Sequence, residues 1–218
     1  MPKKRLTNFR VMNTTESMEK LFRMIDDFDC LFIDLPTNFE PYLRREELEE
    51  VAGVEYIQYV RILKPFLNLN LKLYCYKDAE HCMLANQNII ELAKLMLKAK
   101  FGKIEVEEWK RIIYEDIEAY RHFAEYEAIY IIERAKERNA CINANERIMN
   151  ILESEGFSVE EVWLSRFNRP IDRLYELVSM EIYGRKVSDC VYSEIIKEHI
   201  KFIDDVIEKG YEEAVRGE

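Results

Sequence analysis

The chain has 218 residues, 48% of them hydrophobic and 34% charged, a globular composition long enough to bury a core without disulfide staples. A formal charge of −10 excludes general affinity for phosphate backbones and for anionic membrane surfaces, so neither nucleic acid nor membrane is an expected partner. Five cysteines, Cys30, Cys75, Cys82, Cys141 and Cys190, contain no CxxC pair and fit no disulfide framework, so they predict reduced thiols and a cytoplasmic setting.

The basic start, MPKKRLTNFR, is not followed by the apolar core of a signal peptide. No run reaches the ~18 apolar residues of a membrane span. Two glutamines against abundant Glu, Lys, Arg, Ile and Tyr suit a thermophilic source with surface ion pairs.

In chain order, residues 7–12 form a short β-like run. The spacing of Met18, Leu21, Phe22 and Ile25 then predicts a helix capped by Thr14 or Thr15. CLFIDLP, residues 30–36, reads as a strand buried on both faces, as in a parallel sheet. EPYLRREELEEVAG predicts a helix that starts near Pro41 and ends at Gly53, and a second helix follows to about Pro65. LKLYCYK, residues 71–77, is the third strand. This alternation implies right-handed crossovers in a parallel sheet.

The pattern then changes. A helix over residues 78–100 ends at Phe101-Gly102, and residues 104–138 read as one continuous helix, ~50 Å long at 1.5 Å per residue. Its apolar stripe is Val106, Trp109, Ile113, Ile117, Tyr120, Ala124, Ala128, Ile131 and Ala135. The two helices predict a hairpin, residues 79–139, inserted into a single α/β domain over 1–218. A helix ending at Gly156, a strand over 158–165 and further helices complete the chain. The expected fold class is α/β: a small, mostly parallel sheet of about four strands flanked by helices, with the long hairpin and a helical C-terminus.

In such folds ligands bind outside the carboxyl ends of the strands. Those ends are Asn13 to Thr15, Asp34 to Asn38, Lys77 to His81 and Ser165 to Arg169. Asp34 ends an apolar run and reads either as a catalytic or binding carboxylate or as a turn-forming group. Asp78 and His81 share a helix face, which suits an acid/base pair or a cap beside a surface histidine. Glu146 and Arg147 open a helix, and Arg166, Arg169 and Arg173 cluster after the last strand. With Thr15 they make candidate contacts for an anionic ligand, or salt bridges to the many glutamates. His122 and His199 read as solvated or core-edge residues. The histidines have no metal-ligand spacing, no metal site is expected, and the sequence assigns no cofactor. Neither GxSxG, GxGxxG nor a P-loop is present.

The order of elements resembles the TraB/ChaN group, which includes erythromycin-esterase-like proteins. FRVMNTTES, CLFIDLPTNFEPYL, and NERIMNIL followed by VEEVWLS carry the likeness, over residues 1–50 and 145–170. The group's second-strand acidic residue is matched by Asp34. Its histidine after the first strand falls at Thr14 or Thr15, its next arginine falls near Phe39, and its late histidine has no counterpart in WLSRFNRP. The resemblance therefore implies a scaffold without the metal-site histidines: a divergent hydrolase-like protein or a pseudoenzyme.

Two functions are expected. One is a strand-end cleft for a small polar or anionic ligand, with Asp34, Asp78 and His81 as orienting or acid/base groups and Arg147, Arg166, Arg169, Thr15 and Glu146 as ligand contacts. The other is a non-enzymatic homo-oligomer joined through the hairpin by Trp109, Ile113, Tyr120, Tyr126 and Tyr130, aromatics being favoured at interfaces.

Overall fold

The computed structural model describes residues 3–45, 47–165 and 168–216. They divide into two compact units. The first runs to Cys82 and resumes from Arg121 to the end of the last strand; the second comprises Met83–Tyr120 and the helices that follow that strand.

Among the described residues of the first unit, five parallel strands form one sheet: β1 (Arg5–Arg10), β2 (Cys30–Pro36), β3 (Lys72–Lys77), β4 (Arg138–Ile142) and β5 (Ser158–Trp163), in the order β3-β2-β4-β1-β5. Helices α1 (Thr15–Met24) and α2 (Leu48–Leu67) connect the first three strands, and α5 (Glu146–Ser154) connects the last two. Between β3 and β4 run α3 (Ala79–Lys100) and α4 (Val106–Arg134).

Side-chain alternation along β2 separates two cores. Leu31, Ile33 and Leu35 join Met18, Leu21, Val60, Leu63 and Phe66 of α1 and α2. Cys30 and Phe32 join Ala124, Ala128, Ile131, Ile148 and Leu152 of α4 and α5. Residues Cys30 to Ile33 are all 0% exposed, which is why this strand reads as an unbroken apolar run.

The strand absent from the sequence reading is β4. RNACI is five residues long and follows a helical run without a Gly or Pro to separate them, so local pattern carries the helix to Arg138 and leaves residues 139–142 without an element. In the structure α4 ends at Arg134, and β4 lies between β1 and β2 with Ala140, Cys141 and Ile142 fully buried. Helix α2 is broken at Gly53, whose φ of 64° is open to glycine at little cost, and Pro65 lies in its last turn.

The two edges differ. At β3 the outward Cys75 N–H donates to Glu40 Oε2 at 3.1 Å, and the same oxygen accepts from the Tyr130 hydroxyl, so side chains cover this edge. At β5 the outer residues include the exposed Glu160, Glu161 and Trp163.

In the second unit, Leu92, Leu95, Trp109, Ile112 and Ile113 of α3 and α4 pack with Leu174 and Val178 of α6 (Pro170–Ile182) and with Tyr192, Ile195 and Ile196 of α7 (Asp189–Lys209). A short α8 (Tyr211–Arg216) follows. Buried Asp116 accepts from Asn88 Nδ2 at 3.1 Å and from the Tyr175 hydroxyl at 2.6 Å. No helix among the described residues is long and apolar enough to cross a membrane.

One buried polar side chain fixes the turn after β4. Asn8, fully buried in β1, donates Nδ2 to Ala144 O and accepts the Ala144 N–H, both at 2.9 Å. Asn8→Ala leaves both backbone groups unpaired, at ~1–3 kcal/mol each. Urea unfolding of this variant should show a loss of about 3 kcal/mol; a loss under about 1 kcal/mol would show that the turn does not depend on it.

Candidate functional site at the strand ends

The adjacent strands β1 and β4 lead into helices on opposite faces: α1 packs in the core with α2, and α5 in the core with α4. Neighbouring strands whose connections leave to opposite sides open a crevice at their carboxyl ends, the usual ligand position in this architecture. Thr14 caps α1 by accepting Ser17 N–H, and Asn145 caps α5 by accepting Ile148 N–H at 2.9 Å.

Asn143 stands at the carboxyl ends of β1 and β4. It follows β4 directly and has a φ of 54°, the left-handed region that Asn tolerates better than other residues with a side chain. Its amide is divided between two strands. Oδ1 accepts Val11 N–H at 3.0 Å after β1, and Nδ2 donates to Asp34 Oδ2 at 3.1 Å on β2.

Asp34 sits in an irregular stretch of β2. The pairs Ile33–Cys75 and Pro36–Lys77 show β2 advancing three residues where β3 advances two, a bulge of the kind that re-aims a side chain at a strand end. The second carboxylate oxygen accepts from the Tyr59 hydroxyl of α2. Burial pushes the Asp34 carboxyl above the usual carboxylate range; the Tyr59 and Asn143 bonds and the Lys77 charge pull it down without cancelling the shift. Burial and the Asp34 charge together hold the Tyr59 phenol well above its ordinary value, so it remains a donor. Cys75, Cys82 and Cys141 also feel the Asp34 charge, and burial with that charge raises all three thiols, Cys82 to about 11.

A second buried carboxylate lies at the end of β3. Glu127, with a side chain 0% exposed, accepts from Lys77 Nζ at 3.2 Å, from Asp78 N–H at 3.2 Å and from His81 Nδ1 at 2.6 Å. Burial raises its proton affinity, but the His81 bond, the Lys77 and His81 charges and the Asp78 N–H outweigh it, and the pKa lies below the ordinary value. The His81 ring stacks on Phe123 with centroids 5.2 Å apart. Asp78 Oδ1 caps α3, accepting Glu80 N–H at 2.8 Å and His81 N–H at 3.3 Å. Removing one partner from a buried pair of this kind typically costs about 3–5 kcal/mol.

The candidate residues therefore fall into distinct places. Asp34, Asp78 and His81 are linked through Lys77, whose charge acts on Asp34 and whose ammonium binds Glu127. Thr15, Glu146 and Arg147 are exposed on the first turns of α1 and α5. Arg169 belongs to the second unit, where it binds Asp172 at 2.7 Å, and Arg173 pairs with Glu198. Arg166 lies outside the described residues. His122 is exposed; His199 packs edge-on against Trp109, and burial together with the nearby Arg169 charge lowers its pKa to about 4.

Sequence reasoning did not single out Tyr59, Lys77, Glu127 or Asn143. Glu127 carried a signal: it falls on the buried face of α4 beside Ala124, Ala128 and Ile131. Asn143 carried none until β4 was recognised. Among the described residues no group of three or more His, Cys, Asp or Glu is placed to hold a metal ion. No protein-family model, curated protein or solved structure matches the chain.

The raised Asp34 pKa sets a pH dependence. The folded chain holds this proton more tightly than the unfolded chain, so the contribution to stability is complete below the ordinary value of 3.8 and is lost as pH rises through the native value. Asp34→Asn removes the titration. Wild-type stability relative to that variant should fall as pH rises, by at most about 1.4 kcal/mol per pH unit, and then level off. Urea melts across pH measure it; a difference that is flat or grows with pH contradicts the assignment.

Proposed function

We propose that the first unit binds a small neutral polar molecule at the carboxyl ends of β1, β2 and β4, and that Asp34 exchanges a proton with it. The supporting observation is the Asn143 amide, held in a left-handed conformation and shared between the β1 backbone and the Asp34 carboxylate. A left-handed Asn bonded to a half-buried carboxyl at the strand ends is the kind of feature that functional sites collect.

Charge argues for a neutral ligand. Lys77 is already matched by Glu127, and Asp34 adds a further acidic group, so the described strand-end cluster carries no excess of positive charge. In its protonated form Asp34 donates to an acceptor on the ligand; as carboxylate it accepts a hydroxyl or amide proton. Turnover of a hydrolytic kind and binding without turnover both use this contact. The TraB/ChaN resemblance supports the same residue, because that group's second-strand carboxylate falls on Asp34. The proposal includes a reducing, cytoplasmic setting, supported by free thiols at Cys30, Cys75, Cys82, Cys141 and Cys190.

A thermal-shift screen with sugars, nucleosides and amino acids, and with phosphate and nucleotides as anionic controls, tests the reading. At least one neutral class should stabilise the wild type by several degrees, with the shift abolished in Asp34→Ala and in Asn143→Ala. Stabilisation by anions alone, or shifts that persist in both variants, would remove this site from the function.

A further inference from the structure

We propose that the exposed face of α3 pairs antiparallel with the same face of a second copy of this chain, about a two-fold axis at Ile90. Met83, Ile90, Leu97 and Phe101 are 52%, 56%, 60% and 91% exposed. Three of these large apolar side chains are spaced by seven residues and the fourth follows one turn later, so they form a single stripe along the helix and its terminal turn. Of the hairpin residues expected from sequence to make such a contact, Trp109 and Ile113 are 0% exposed in the core of the second unit, while Tyr126 is 59% exposed.

The stripe is self-complementary. Ile90 lies midway between Met83 and Leu97, so an antiparallel copy sets Ile90 against Ile90 and Met83 against Leu97. The charges along α3 agree with that direction. Glu80 lies in the first turn and Lys98 and Lys100 in the last, so each acidic end meets a basic end of the other copy. Within its own chain Lys98 binds Glu105 at 2.7 Å and Lys100 binds Asp204, which shields these lysines and leaves the apolar contact as the main contribution.

Area sets the strength. The four residues expose roughly 500 Å² per copy, well below the ~800 Å² per partner of a standard-size interface. The expected product is a weak, concentration-dependent dimer.

The test uses the full chain with the exposed Cys190 replaced by Ser. Sedimentation should show the average mass rising toward that of a dimer with concentration. Ile90→Glu should weaken association about tenfold or more without changing the circular dichroism spectrum. Under mild oxidation Ile90→Cys should cross-link to itself, Met83→Cys alone should not, and Met83→Cys with Leu97→Cys should. A chain that stays monomeric to its solubility limit, a dimer that survives Ile90→Glu, or cross-linking of Met83→Cys as fast as Ile90→Cys would overturn the proposal.

Discussion

A carboxyl group half-buried at the end of a parallel strand must find donors, hold its proton more tightly, or both, and Asp34 does both. The bulge in β2 turns it out of the regular pleat; Tyr59 comes to it from α2 and Asn143 from β4. Those two donors belong to segments separated from it by tens or more than a hundred residues. Asn143 reaches Asp34 because β4 inserts between β1 and β2 and ends level with them. The strand order, the left-handed turn at Asn143 and the buried amide of Asn8 beneath it are all parts of the same arrangement.

The same edge of the sheet holds a second buried carboxylate in the opposite electrostatic condition. Glu127 is surrounded by Lys77, His81 and the Asp78 N–H, and keeps its charge. Asp34 has neutral donors and a more distant cation, and burial prevails. Two carboxyl groups whose surroundings drive their proton affinities apart are the arrangement from which acid and base roles are made. Lys77 connects them, since it pairs with one and lowers the other. A ligand that displaced this balance would therefore be felt at both.

Much of the architecture was legible because it rests on local pattern. The doubly buried run at Cys30 to Ile33 and the heptad-like stripes of the long helices have periodicities that survive without tertiary information. Asp34 was legible for the same reason, as a polar residue ending an apolar run. RNACI was not, because its strand state comes from the two neighbours it lies between rather than from its own composition. With β4 hidden, Asn143 had no strand end to occupy, and its bond to Asp34 could not be drawn. The arginines illustrate the opposite difficulty. Proximity in sequence grouped Arg169 and Arg173 with the strand end, yet each is engaged by a carboxylate of the helical unit.

The helical unit has an economy of its own. Its inner face is closed by Trp109, Tyr192 and the aliphatic residues around them, while α3 keeps large apolar side chains in water. One helix thus faces inward by one stripe and outward by another, and the outward stripe is the surface left for association.

The account turns on the state of one carboxyl group. Selective ¹³C labelling of aspartate, with Asp34 assigned by its loss in Asp34→Asn, allows its Cγ shift to be followed against pH. The account predicts a midpoint above the ordinary 3.8, moving higher still when Asn143→Ala removes a donor to the charged form. A midpoint at or below 3.8, unmoved by that substitution, would mean that Asp34 is an ordinary ionised turn residue and that the strand ends hold no proton-exchanging site.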